Sequence, residues 1–242
     1  MAQAVYLEYM VKSPHPNELH KSQRSNWLRA SVMGIDDGIV SISSLMLGVS
    51  AAAASHSAVL TTGIAGLAAG ALSMAVGEYV SVSSQRDSEQ ADIEIEKRSI
   101  AANPEEELAE LADIYVARGL DSGLAIQVAR QLHAHDPVVA HARDELGIDH
   151  EALPNPIQAA LASALAFSLG SAIPILGALV TLGRQSVWAI VLLSLIALAC
   201  SGALGAHIGG GKRKWAAIRV FLGGGIAMAI TAIIGRIIGQ HL

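Results

Sequence analysis

Long stretches without a charged side chain are the feature that most constrains how this chain can fold. Between Ile39 and Gln85 the only Asp, Glu, Lys or Arg is Glu78, and three further runs are uncharged: 152–183, 185–211 and 220–235. A bilayer core of about 30 Å is crossed by about 20 apolar residues in a helix. The first run is therefore long enough for two spans, and each later run for one. This pattern predicts five transmembrane helices rather than a soluble protein with buried helices.

Breaker residues and polar segments divide the chain into four parts. We assign residues 1–25 to a polar cytoplasmic leader, 26–85 to transmembrane helices 1 and 2, 86–153 to a soluble helical domain, and 154–242 to transmembrane helices 3–5. The helical pattern of the second span continues into charged sequence without Gly or Pro until Asn103 and Pro104. This predicts one long helix that leaves the membrane and ends at that pair, where the next helix begins. The fold class is thus all-α.

Charge is distributed unevenly along the chain. Residues 87–151 hold 16 acidic residues against 5 basic ones, a net charge of −11, within a chain whose net charge is −5. Basic residues lie near the ends of the spans. With five spans, most of these residues fall on one side of the membrane: Lys21, Arg24, Arg29, Arg86, Lys212, Arg213, Lys214 and Arg219. The positive-inside rule then places the N-terminus and the acidic domain in the cytoplasm, and the C-terminus outside.

The sequence lacks the motifs of several functional classes. The sequence has no HExxH motif, no GxxxxGK[ST] loop and no recognisable Ser/His/Asp motif, so we expect neither an enzyme nor an organic cofactor. We also expect no nucleic-acid partner. A single cysteine, Cys200, lies inside an apolar run, which excludes a disulfide within the chain and a CxxC metal site.

Four side chains within the first two spans are candidates for an ion path. Asp36 and Asp37 lie near the start of the first span, and Met74 and Glu78 lie one turn apart in the second. Carboxylates within spans are costly and normally face a cavity or pathway, and a thioether favours transition metals over Mg²⁺ or Ca²⁺. The alternatives are that Met74 only fills the core, that Asp36 caps a helix, and that Glu78 lies at the cytoplasmic mouth.

The acidic domain offers a second set of candidates, at helical spacings. Carboxylates with an occasional imidazole are typical ligands of Fe²⁺ or Mn²⁺. The candidates are Glu89, Asp92 and Glu96 on the emerging helix, Glu107 and Glu110 on the next, and His141 and Glu145 on the last. A solvated acidic surface produces such pairs as well, so spacing leaves both interpretations open.

These residues also carry a resemblance. The sequence resembles the vacuolar iron transporter family from about His20 onward, in the runs Asp36-Asp37-Gly38, Ser73-Met74-Ala75-Val76-Gly77-Glu78-Tyr79, Glu107-Leu108-Ala109-Glu110-Leu111, Ile114-Tyr115 and Asp144-Glu145-Leu146-Gly147. The resemblance implies a five-span homodimer with a cytoplasmic metal-binding domain between spans two and three. It also implies export of Fe²⁺, and often Mn²⁺, from the cytosol in exchange for protons.

Carried over by position, Asp37, Met74 and Glu78 match the intramembrane metal path, and the soluble domain contributes Glu96, Glu107, Glu110 and Glu145. Two departures stand out. Ser99 lies where another glutamate is expected, and His141-Ala142 replaces a methionine pair, so the soluble site is expected to bind fewer ions or prefer another metal. The motifs look like those of bacterial relatives, which implies a bacterial inner membrane.

The sequence leaves two questions: whether the chain moves an ion across the membrane, and what the glycines of the second span contact. A metal-binding sensor or storage adaptor that moves no ion is the alternative to a transporter, although it has no need for polar groups inside the spans. Gly63, Gly66 and Gly70 form a surface of small residues on the second span that suits close packing of helices. We predict that this surface contacts a second copy of the chain in a homodimer; the alternative is that it packs only against other spans of the same chain.

Overall fold

The computed structural model describes residues 25–149, 153–181 and 184–241. Within these ranges the chain is helical and contains no strand. The predicted leader therefore lies outside the described residues, apart from Ser25, which begins the first helix. The helices are α1 (Ser25–Ala51), α2 (His56–Ala102), α3 (Pro104–Ala117), α4 (Ser122–His135), α5 (Pro137–Asp144), α6 (Pro156–Leu179), α7 (Arg184–Gly209) and α8 (Arg213–Gly239).

Five of these helices are long and apolar enough to cross a membrane. They are α2, α6, α8, the Val32–Ala51 part of α1 and the Gln185–Gly209 part of α7. This confirms the predicted all-α membrane protein with five candidate spans. Helix α2 has 47 residues, which at a rise of about 1.5 Å per residue gives a length of about 70 Å. Such a helix is about twice as long as a bilayer core is thick, so part of it must lie outside the hydrocarbon.

The ends of the short helices follow from local chemistry. Pro104 begins α3 directly after Asn103, where a missing N–H costs nothing. Asp121 accepts hydrogen bonds from the backbone N–H groups of Gly123 and Leu124, and Asp136 accepts one from Val139, so a carboxylate caps both α4 and α5. Gly119 follows α3 with a φ of +102°, a conformation that favours glycine.

The contacts divide the chain into two compact units. One comprises residues up to 72 and from 163 onward, and the other comprises Ser73–Ala162. In the first unit, α1 packs against α7 and α8 and also approaches α6 closely. A Cβ at Gly38 would collide with the Phe167 carbonyl oxygen, and one at Gly170 with the Ile35 carbonyl oxygen. These glycines let the two backbones meet, as small residues do between membrane helices.

The small residues of α2 also contact the same chain. A Cβ at Gly63 would meet the Met46 sulfur, one at Gly66 would meet Ile42, and one at Gly70 would meet the Phe167 ring. These glycines therefore pack against α1 and α6, which is the second of the two alternatives that the sequence left open. A dimer contact, if the chain forms one, must use another surface.

We predict that Gly38→Ala destabilises the protein because the added methyl group forces α1 away from the backbone of α6. Overpacking of this kind typically costs about 1–3 kcal/mol. The measurement is the unfolding temperature of the purified protein in detergent. Gly223→Ala on α8 is the matched control, since its Cβ would meet no atom within 4 Å. Equal unfolding temperatures for the two variants would contradict this account of α1 and α6.

Candidate metal centre

A small apolar cluster holds the helices of the second unit together. Leu111 and Ala112 of α3 are buried against Ala129 of α4 and Ala140 of α5. Partly buried side chains complete the cluster: Leu108, Ile114, Tyr115 and Ile126. This packing brings α3, α4 and α5 together and so limits where their acidic side chains can meet.

Three carboxylates converge on one imidazole. Glu96 of α2, Glu107 of α3, and His141 and Glu145 at the end of α5 each offer one ligand atom, and these four atoms all lie within 4.8 Å of one another. The His141 side chain is fully buried and Glu96 is 6% exposed. Four of the seven residues that the sequence proposed for the soluble site therefore come together.

The three carboxylates and His141 offer more hydrogen-bond acceptors than donors. Nδ1 of His141 lies 2.9 Å from Oε1 of Glu96, 3.1 Å from Oε2 of Glu145 and 3.9 Å from Oε2 of Glu107. This nitrogen carries at most one proton, and among the described residues it has hydrogen-bond geometry with Glu145. Oε1 of Glu96 is left buried without a hydrogen-bond partner among the described residues. A divalent cation would satisfy all four ligand atoms at once, because carboxylate oxygen and imidazole nitrogen are both good ligands for transition metals.

The raised pKa of Glu96 also favours a bound cation. Burial raises the pKa of Glu96 above its ordinary value, and the negative charges of Glu145, Glu107 and Glu110 raise it further, while His141 lowers it. The ionised form of Glu96 is therefore disfavoured in the metal-free protein. A bound cation would reverse this balance by supplying positive charge at the carboxylate.

The other predicted soluble residues lie outside this group of four. Glu110 and Asp92 are exposed, although the charge of Glu110 contributes to the raised pKa of Glu96. Glu89 is half-buried, and its carboxylate accepts a 2.8 Å hydrogen bond from Gln85 one turn earlier on α2. Their proposed role as ligands stays a prediction.

The last acidic pair of the domain has two different roles. Asp144 accepts a 2.6 Å hydrogen bond from the Tyr115 hydroxyl and a 2.5 Å hydrogen bond from the Arg118 guanidinium, while the next residue, Glu145, joins the metal cluster. Burial, together with the hydrogen bond to Asp144, raises the pKa of Tyr115 to about 12, so its hydroxyl remains a donor. The pair Asp144–Arg118 thus ties the end of α5 to α3 and holds Glu145 and His141 in place.

Sequence reasoning did not identify His133 of α4 as a neighbour of the site. Its ring lies edge-on to that of His141, with ring centres 5.9 Å apart. The sequence feature that indicates this contact is the Asp136-Pro137 pair. It ends α4 and starts α5, so the chain turns there and brings the two histidines together.

The candidates within the spans are placed on α1 and α2. Asp36 and Asp37 lie on different faces of α1. Asp36 lines a cavity of about 750 Å³ together with Trp215 and Arg219, whereas Asp37 is exposed and accepts a hydrogen bond from the Ser41 hydroxyl at 3.1 Å. Met74 and Glu78 lie one turn apart on α2, and both are half-buried. Their role in transport stays a prediction.

We predict opposite effects of Glu96→Gln on the metal-free and the metal-bound protein. A group whose pKa is raised by folding stabilises the folded state below its unfolded value, here 4.5, and loses that contribution as pH rises through the raised value. At pH 7 the amide should therefore raise the unfolding temperature of metal-free protein and make it less dependent on pH. The stabilisation produced by added Mn²⁺ should fall sharply.

The control is Glu106→Gln, which changes an exposed carboxylate on the same helix as Glu107. It should leave both measurements close to those of the unsubstituted protein. A lower metal-free unfolding temperature for Glu96→Gln, with unchanged Mn²⁺ stabilisation, would contradict the proposed centre.

Comparison with known proteins identifies the family of the chain. The profile of the VIT family matches residues 28–236. A vacuolar iron transporter of Acanthamoeba castellanii is 47% identical over 221 residues, 90% of this chain and 82% of that protein. Vacuolar iron transporter homolog 5 of Oryza sativa subsp. japonica is 38% identical over 216 residues, 89% of this chain and 82% of the relative. Vacuolar iron transporter homolog 2.1 of Arabidopsis thaliana is 38% identical over 227 residues, 92% of this chain and 86% of the relative.

These relatives come from an amoeba and two plants, so they lend no support to the expected bacterial origin or bacterial inner membrane. They do support the resemblance drawn from the motifs, a multi-pass membrane protein and a metal-ion transporter. The matched profile covers most of the chain, from within α1 to within α8. The chain belongs to the VIT family.

Proposed function

We propose that this chain is a secondary transporter that moves Fe²⁺, and also Mn²⁺, out of the cytoplasm in exchange for protons. The observation that carries the proposal is the convergence of Glu96, Glu107, Glu145 and His141 in a chain with five candidate membrane spans. The names of the relatives add iron as the metal that those proteins transport.

The donor set supports a transition metal. Three carboxylates alone would suit Mg²⁺ or Ca²⁺ as well, but an imidazole ligand shifts the preference toward ions such as Fe²⁺ and Mn²⁺. Protons compete with the metal for the same oxygens and for the same nitrogen, so binding should weaken at acid pH. The cluster is suited to collecting ions from a neutral compartment.

The orientation rests on the basic residues near the spans. Arg86 follows the apolar part of α2, and Lys212, Arg213 and Lys214 lie between α7 and α8. The positive-inside rule assigns these positions to the cytoplasm. The acidic helices α3 to α5 then lie in the cytoplasm too, on the side from which metal is removed.

Asp37 supports both an ion path and a homodimer. Met33, Asp37, Ser41 and Leu45 are exposed at successive turns of α1, with Met33 64% and Leu45 43% exposed. A carboxylate that faces lipid is costly, and its cost falls when a second copy covers it or when a cation binds. We therefore propose that this stripe of α1 faces the same stripe of a second copy, with the two Asp37 carboxylates at the metal path.

Proton exchange follows from the same chemistry. Carboxylates must lose their protons to coordinate a metal, and they regain protons when the ion leaves. Asp37 and Glu78 are the carboxylates proposed to do this, with Met74 biasing the path toward transition metals and Asp36 as a further candidate. A pH gradient that is acidic outside should drive metal outward.

We predict that Asp37→Asn abolishes metal flux while the protein remains folded, because an amide keeps the shape of the side chain but loses its charge. Mn²⁺ movement is measured in proteoliposomes with and without a pH gradient. Met74→Leu should reduce flux or change metal preference, and Glu106→Gln should have no effect. Full flux with Asp37→Asn at matched protein amounts would remove Asp37 from the path. Metal binding without flux in the unsubstituted protein would favour a sensor or storage adaptor.

We also predict that Ser41→Cys forms a disulfide-linked dimer in a Cys200→Ser background, since the proposed contact brings the two copies of α1 together. Oxidised membranes are analysed on a denaturing gel without reductant. Leu192→Cys on α7 is the control, because it is also exposed but lies outside the stripe. A dimer band for Leu192→Cys and none for Ser41→Cys would place the contact elsewhere.

A further inference from the structure

We infer that His133 is a positioning residue for His141 and holds its ring in the tautomer that binds metal. The inference rests on the proposed metal site. It assigns a function to a residue that offers no ligand atom to the group of four.

His141 uses only one of its two ring nitrogens in the cluster. Nδ1 faces the three carboxylates, whereas Nε2 is buried and has no hydrogen-bond partner among the described residues. When Nδ1 binds a cation, the neutral ring must carry its proton on Nε2. A metal-bound histidine almost always donates that second N–H to an acceptor, which fixes the tautomer and the ring orientation. A buried N–H without an acceptor would weaken metal binding.

His133 lies beside the His141 ring and has an unused nitrogen that can act as an acceptor. Its Nδ1 is also buried and also lacks a hydrogen-bond partner in the described part of the chain. The two rings meet edge to face, with an interplanar angle of 77° and ring centres 5.9 Å apart. A rotation of the half-exposed His133 side chain, or one shared water, would join the two nitrogens by hydrogen bonds. In either case, Nδ1 of a neutral His133 that carries its proton on Nε2 would accept a hydrogen bond from the Nε2–H group of His141.

Among the described residues, the carboxylates that lie near the two histidines already have other contacts. The charged groups nearest to His141 are Glu96, Glu107 and Glu145, and all three approach Nδ1. The carboxylate of Asp144 is occupied by Tyr115 and Arg118. Asp136, which lies between the two histidines in sequence, uses its carboxylate to cap α5. His133 is thus the group positioned to complete the environment of His141.

The test compares two amides that differ only in where the acceptor lies. The side-chain oxygen of Asn takes the place of Nδ1 of histidine, whereas that of Gln takes the place of Nε2. We expect His133→Leu and His133→Gln to weaken Mn²⁺ binding to the full chain by about 10–100-fold, the usual cost of losing such a partner. His133→Asn should restore an affinity close to that of the unsubstituted protein. His135→Leu, at an exposed histidine on the same helix, is the control.

A spectroscopic measurement separates positioning from general loss of structure. In full-length protein labelled with ¹⁵N-histidine and saturated with Zn²⁺, the His141 Nε2 proton should give a downfield signal, assigned by its loss in His141→Ala. The signal should persist in His133→Asn and disappear by exchange in His133→Leu and His133→Gln. If His133→Leu fails to fold, the Asn and Gln pair still decides the question.

The outcomes distinguish the two proposals. If the unsubstituted protein binds no Mn²⁺, the proposed metal site is wrong and this inference fails with it. If Mn²⁺ binds and the Asn and Gln variants have equal affinity and equal spectra, the metal site stands and the role of His133 is refuted.

Discussion

Repulsion among carboxylates that are held together is the constraint on which the second unit depends. Burial and neighbouring negative charges already raise the pKa of Glu96. The apolar cluster, the hydrogen bonds of Asp144 to Tyr115 and Arg118, and the contacts of His141 with the carboxylates oppose that repulsion. A divalent cation bound by all four ligand atoms would stabilise the folded helices further, so metal binding and folding of this unit would be linked.

The spans face a different constraint, because the core of a bilayer contains no water to form hydrogen bonds with backbone groups or to solvate charges. Glycine permits α1 to touch α6 and α8 at the backbone, which buries polar side chains such as Ser171 beside the Gly38 carbonyl. Asp37 differs, because it is exposed on α1 together with Met33, Ser41 and Leu45. A carboxylate on an exposed face within a span is costly unless a partner or a cation covers it.

Much of the fold could be predicted because the signals are local. Uncharged runs predict the number of candidate spans, and Asn103-Pro104 predicts the end of α2 and the start of α3. The metal site was harder to predict. Helical spacing shows which residues share a face, but not where two helices cross, so Glu110 and Glu89 could not be separated from Glu107 and Glu96. Asp144 and Glu145 are adjacent acids with different partners, and His133 lies on another helix. Only tertiary packing reveals these relations.

The continuity of α2 has a consequence for how ions reach the cluster. Glu78, Glu89 and Glu96 are separated by 11 and 7 residues, which are close to whole numbers of helical turns, so they share one face of an unbroken helix. Their spacings along the axis are about 16 Å and about 10 Å. The shorter spacing is close to the Debye length of about 8 Å in physiological salt, so the fields of Glu89 and Glu96 overlap. This side of α2 therefore carries three carboxylates along one face, and negative charge arranged in this way attracts cations to the helix surface.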